Sequence, residues 1–199
     1  MPSFKEVQYY LAGLWLLLRM DARGFQYLDI SDRGMLRSFW AILWSLPSIG
    51  ISWLWWQQAY LTAMPPETST GVAFFLRLAL VEAASWLTPL VLAGVLLMIF
   101  RFGDKFAPIV VVVNWLGLPT SYLNALLIAL LAFIPGSSGL VAILWLGLMM
   151  AIVFSLARML RMICGTHTLF IGTLTLVLLI PTMLLTDFLQ RFLGIYPPG

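Results

Sequence analysis

Beyond its first three dozen residues the chain alternates long apolar runs with short polar connections. Five runs are expected to cross a membrane as helices: Leu36 to Leu61, Gly71 to Phe100, Phe106 to Ile134, Leu140 to Met162 and Thr166 to Leu185. Each has about the 20 residues, or more, that span a hydrocarbon core. The connection 62–70 (TAMPPETST) is a Pro-rich turn and 135–139 (PGSSG) a tight one. The third run would be some 43 Å long as one helix, too long for an upright span and too short for two. Gly117 and Pro119 interrupt it, which predicts a tilted, kinked or partly unwound span.

Residues 4–20 follow a different pattern. Phe4, Val7, Leu11, Leu14, Trp15 and Leu18 share one helical face, while Lys5, Gln8, Tyr9 and Arg19 lie off it. A short segment with charges at both ends predicts an amphipathic helix lying in the membrane interface; packing on the bundle is the alternative. Residues 21–37 form the one strongly polar stretch, in which Ser31 or Asp32 is placed to cap a short helix. The predicted fold is all-α, a polytopic bundle of five transmembrane helices. Residues 1–35 form its cytoplasmic or interfacial segment, 36–186 the bundle and 187–199 a short tail.

Composition sharpens the picture. The chain is 62% hydrophobic and 10% charged, with a mean hydropathy of +0.99. Between Arg37 and Leu185 the only charged residues are Glu67, Arg77, Glu82, Arg101, Asp104, Lys105, Arg158 and Arg161. The net charge of +3 is distributed as basic loops and does not indicate a nucleic-acid surface. Lys5, Arg19, Arg23, Arg33 and Arg37 precede the first span, Arg101 and Lys105 follow the second, and Arg158 and Arg161 end the fourth. The connections 62–70 and 135–139 contain no Lys or Arg. The positive-inside rule then predicts a cytoplasmic N-terminus and an outside C-terminus.

The segment FQYLDISDRGMLRSFWAILWSLP (25–47), with VVVVNWLGL (110–118), resembles a group of short five-span bacterial inner-membrane proteins. Their plan is distantly similar to the Yip family of membrane-shaping proteins. The resemblance implies the architecture and no particular chemistry. The acidic tyrosine motif that eukaryotic Yip proteins carry before the first span is not recognisable, so Rab-type partner binding is not implied.

Candidate chemistry is sparse. One cysteine, Cys164, excludes an intrachain disulfide. Its Cys-x-x-His spacing to His167 lacks a second pair of ligands, so no metal site is expected. No nucleophile elbow, HExxH, phosphate loop or dinucleotide fingerprint occurs, and no enzyme is expected. Asp21, Asp29 and Asp32 stand in a basic segment and read as paired or solvated.

The polar residues inside the runs carry more. Glu82 lies about 11 residues into the second span, where an unpaired carboxylate costs about 2.5–3.5 kcal/mol. Asn124 and Ser85 are its depth-matched partners. Asn114 precedes the break at Pro119, where it can satisfy freed carbonyls or line an unwound binding segment. Gly147, Ala151 and Ser155 recur every four residues on the fourth span, a groove that admits another helix, from within the chain or from a second one.

These features predict a non-catalytic integral membrane protein, an accessory or scaffold subunit of a larger assembly or a local membrane organiser. Its partners would be membrane lipids and another integral membrane protein or a second copy, with no cofactor beyond bound lipid. The alternative is a small transporter or channel using the intramembrane carboxylate.

Overall fold

The computed structural model describes residues 2–196 and is all-helical in its regular elements. Helix α1 (Phe4–Leu18) opens on a capping box. The Glu6 amide donates to Ser3 Oγ at 3.3 Å, and the Ser3 amide donates back to Glu6 Oε2 at 2.7 Å. Two residues past its end the chain turns at Met20, whose φ is 64°, and a 3-10 turn (Ala22–Tyr27) folds back against the helix. The crossing requires glycine on both sides. A Cβ on Gly24 would stand 2.5 Å from the Gly13 carbonyl oxygen, and one on Gly13 would stand 2.5 Å from the Tyr27 Cβ. Helix α2 (Asp32–Ser38) is capped by Ser31, whose Oγ accepts the Gly34 amide at 3.1 Å.

The apolar face expected for α1 is rotated in the fold. Val7, Leu14 and Leu17 are buried, while Phe4 and Trp15 are 62% and 61% exposed. The buried face packs on Val111, Val112 and Trp115 of α5 (Phe106–Phe133) and Met159 of α6 (Ser138–Cys164). Tyr10 adds a ring contact to Trp115 at 4.6 Å. Leu-rich on nearly every side, α1 satisfies the bundle with one face and still turns aromatic residues outward.

Helices α3 (Ala41–Ala63), α4 (Val72–Ile99), α5, α6 and α7 (Thr168–Phe192) form the bundle. Four of them are long and apolar enough to cross a membrane: α4, α5 with its preceding 3-10 turn, α6 and α7. The first expected span, α3, has 23 residues and no charge, but its Trp, Ser and Gln side chains hold it below that level of hydropathy.

Two helix pairs organise the bundle. Helices α3 and α5 run side by side in the same direction, with Ser48 Oγ donating to Ser121 Oγ at 2.9 Å and Tyr122 Oη donating to the Trp44 carbonyl at 3.0 Å. Helices α4 and α7 run antiparallel, joined by Ser85 Oγ and Thr186 Oγ1 at 2.8 Å and by Arg77, which donates to the Leu193 carbonyl at 3.0 Å. The buried residues of helix α6 all lie in its last turns. They are Leu156, Met159, Leu160 and Cys164, and the half before them projects Ile143, Leu146 and Phe154 outward.

Pro47, Pro89, Pro119 and Pro181 each lie within a continuous helix. In particular α5 is one helix through Gly117 and Pro119, so the third run is neither unwound nor split. The last helix continues to Phe192, beyond the expected end at Leu185. Gly194, at φ 65°, then turns the chain so that Ile195 is fully buried among Tyr60, Phe74, Leu78 and Val81. Trp56 Nε1 donates to the Ile195 carbonyl at 3.0 Å and fixes this hook to α3.

Candidate functional site

A cavity of about 460 Å³ separates the α3–α5 pair from the α4–α7 pair. Each helix contributes polar or small residues at one-turn spacing: Ser48 and Ser52 from α3, Glu82 and Ser85 from α4, Gly117, Ser121 and Asn124 from α5, Thr182 from α7. Helices α4 and α5 touch only sparsely, which leaves the space open between the pairs. Glu82 is its sole charged lining residue.

Most of the lining hydroxyls are already engaged. Ser48 Oγ donates to the Ser45 carbonyl or to Ser121, and Ser52 Oγ donates to the Ser48 carbonyl at 3.2 Å. Thr120 and Ser121 donate to carbonyls of their own helix. Pro89 removes the amide that would bond the Ser85 carbonyl, and Thr182 Oγ1 donates to that oxygen at 3.3 Å across the α4–α7 contact. Glu82 and Asn124, by contrast, have no hydrogen-bond or ion-pair partner among the described residues, and both reach the cavity. Ser85, the other expected partner of Glu82, bonds Thr186 instead. Arg77 points away to the C-terminal hook, in keeping with the strained geometry of a pair five residues apart.

Asn114 sits beside the cavity and serves a different purpose. It is fully buried; its Oδ1 accepts Trp86 Nε1 at 2.8 Å, and its Nδ2 donates to Ser38 Oγ at 2.8 Å. Ser38 Oγ in turn donates to the Met35 carbonyl at 2.7 Å. The amide thus links α4, α5 and α2, and no carbonyl near Pro119 is among its partners. Trp86 lines the cavity, so this network forms its wall toward the N-terminal segments. On the other side, the Ile195 hook and the Tyr60–Phe74 ring pair at 5.1 Å close the gap between α3 and α4.

The remaining candidates fall elsewhere. A Cβ on Gly147 would meet nothing, Ala151 is exposed and Ser155 is half-buried, so this stripe is not packed against the chain's own helices. Cys164 is buried at the end of α6, whereas His167 is exposed with its ring 6.3 Å from that of Phe102. Among the described residues no three of His, Cys, Asp and Glu converge to hold a metal ion. Sequence reasoning missed Trp86, Ser48, Ser121 and Thr182. For Ser48, Ser121 and Thr182 the signal was present as small polar residues within apolar segments; for Trp86 the sequence carried none.

The chain matches no protein-family model, no curated protein and no solved structure. The multi-helix apolar bundle is that of an integral membrane protein.

Proposed function

We propose that this membrane protein is a small carrier that binds a solute in the cavity between its two helix pairs, with Glu82 as the binding group. One observation carries the reading: Glu82, the only charged residue of the cavity lining, has no hydrogen-bond or ion-pair partner among the described residues and faces open space, whereas Asp187, the other carboxylate of the long helices, is paired with Arg191. A carboxylate whose purpose was to fix helix register would be expected to bond a neighbouring helix, as Asn114 does. In this reading α3 is the fifth span, the basic ends face the cytoplasm of a bacterial cell, and Phe4 and Trp15 of α1 rest at the membrane surface. The Asn114 network and the Ile195 hook then stand as the two closures on either side of the site.

The test is flux. Proteoliposomes containing the wild-type chain should show proton- or cation-coupled solute movement that Glu82→Gln abolishes, since the amide keeps the shape and loses the charge. Absence of flux from wild-type vesicles, across a panel of cationic and neutral solutes, would sink the carrier.

A second reading rests on α6. Its first half, Gly147 and Ala151 included, is uncovered by the chain itself, which supports an accessory subunit that docks this helix on another membrane protein or a second copy.

A further inference from the structure

We infer that the cavity selects an organic monocation, an ammonium ion carrying a ring-sized apolar body; the inference rests on the carrier reading above. The lining contains one carboxylate and no Lys, Arg or His. An anion would therefore enter a site with one like charge and no counter-charge, which disfavours it strongly in a low-dielectric surrounding. A sugar or other polyhydroxylated solute needs many free donors and acceptors. Here the hydroxyls of Ser48, Ser85, Ser121 and Thr182 already bond protein groups and offer chiefly acceptor lone pairs, which leaves the Asn124 amide as the main free donor beside the Glu82 carboxylate.

A hard divalent metal cation fits no better. A hard divalent ion such as calcium takes about six to eight oxygen ligands at about 2.3–2.6 Å, whereas this space is 460 Å³ with one carboxylate and one free amide. That volume equals about fifteen water volumes, enough for a ring and a short side chain.

A smaller space beside Glu82 offers the apolar body a place. A pocket of about 170 Å³ reaches Glu82 from the other side, lined by Leu46, Ile49, Trp53, Ala83 and Trp86 among others, with Glu82 its only charged member. Glu82, Ile49 and Trp86 belong to both spaces. A cation anchored on the Glu82 carboxylate thus has the Asn124 carbonyl available to its N–H groups in the larger cavity. Its hydrocarbon part has the indoles of Trp53 and Trp86 beside it, and these also favour positive charge over their faces. The match is one positive head, few hydrogen bonds and an apolar remainder.

Three ligands with one ring body separate the possibilities: benzylamine (protonated at neutral pH), benzyl alcohol and benzoate. Equilibrium dialysis of each radiolabelled compound against the full chain in detergent, with protein-free detergent as the partition blank, measures binding directly. Wild type should bind benzylammonium saturably, the alcohol at least about tenfold more weakly and benzoate not at all, and Glu82→Gln should lose at least about tenfold for the cation alone. Equal binding of the alcohol or of benzoate, or full retention in Glu82→Gln, would overturn the cation assignment while leaving a solute site in the cavity. Failure of all three ligands also overturns it; coupled flux in the proteoliposomes would then preserve the carrier, and absence of flux would remove both. Should Glu82→Gln not fold, the comparison of the three ligands on wild type decides the matter alone.

Discussion

Asn114 and Glu82 are both polar side chains in apolar helices, and their surroundings separate their roles. Asn114 uses both ends of its carboxamide, accepting from Trp86 and donating to Ser38 in a fully buried setting. Removing it orphans the Trp86 indole N–H and takes a partner from Ser38, an outcome that costs more than the bonds themselves contribute. Asn114→Ala is therefore expected to lower stability by about 1–2 kcal/mol, read as a lower melting temperature in detergent. An unchanged melting temperature would mean that water or lipid replaces the amide. Both residues stand out in the sequence because a charge or amide in a long apolar run is conspicuous. Their partners do not: Trp86 and Ser38 lie 28 and 76 positions from Asn114, and only the pairing of helices brings them together.

At the scale of the element, periodicity located the helices well and their faces less well. Helix α1 carries Leu at 11, 14, 16, 17 and 18, so several faces are apolar and its environment chooses among them. The fold buries Val7, Leu14 and Leu17 and leaves Trp15 out. Of the tilt, kink or unwinding expected at Gly117 and Pro119, the unwinding does not occur, since membrane helices tolerate a proline without unwinding. The cap at Ser31 was legible, since a short polar residue before an apolar period has a local mechanism.

The same helix supplies a pH-dependent contact. Bonds from the Ser3 amide and then Arg37, whose Nη2 is 3.0 Å from Glu6 Oε1, hold the Glu6 carboxyl below its ordinary 4.5. A depressed acid stabilises the folded contact above 4.5 and loses that contribution as pH falls through the depressed value. Amide protection in α1, taken relative to the intrinsic exchange rate at each pH, should thus be steady near neutral pH and fall below about 4.5, whereas Glu6→Gln should show lower protection at neutral pH and no such step. Asp21 is depressed as well, by Arg23 within the 3-10 turn, so a step that survives in Glu6→Gln would belong to that pair.

For the whole molecule, the helix directions gather the basic residues at one end. The N-terminal ends of α5 and α7 and the C-terminal ends of α4 and α6 share a core of Leu97, Ile109, Leu160 and Phe170. Arg101, Lys105, Arg158 and Arg161 adjoin it, and Lys5, Arg19, Arg23, Arg33 and Arg37 sit on the segments packed nearby. Of the 11 Lys and Arg residues, only Arg77 and Arg191 lie toward the other end, and each is engaged locally, Arg77 with the Leu193 carbonyl and Arg191 with Asp187 at 2.9 Å. Such asymmetry in short connections orients a multi-span protein with its basic end in the cytoplasm. On the proposed carrier reading, the same asymmetry would place the Asn114 network toward the cytoplasm and the Ile195 hook toward the outside. A Cys164→Ser background removes the native thiol for labelling. In it, Thr68→Cys in the exposed turn between α3 and α4 should react with an impermeant maleimide added outside intact cells, and Lys105→Cys should react only after the membrane is opened. The opposite pattern would invert the molecule and exchange the two closures. Reaction of both sites from outside would mean that α4 does not cross the membrane, and the cavity could not then connect two compartments.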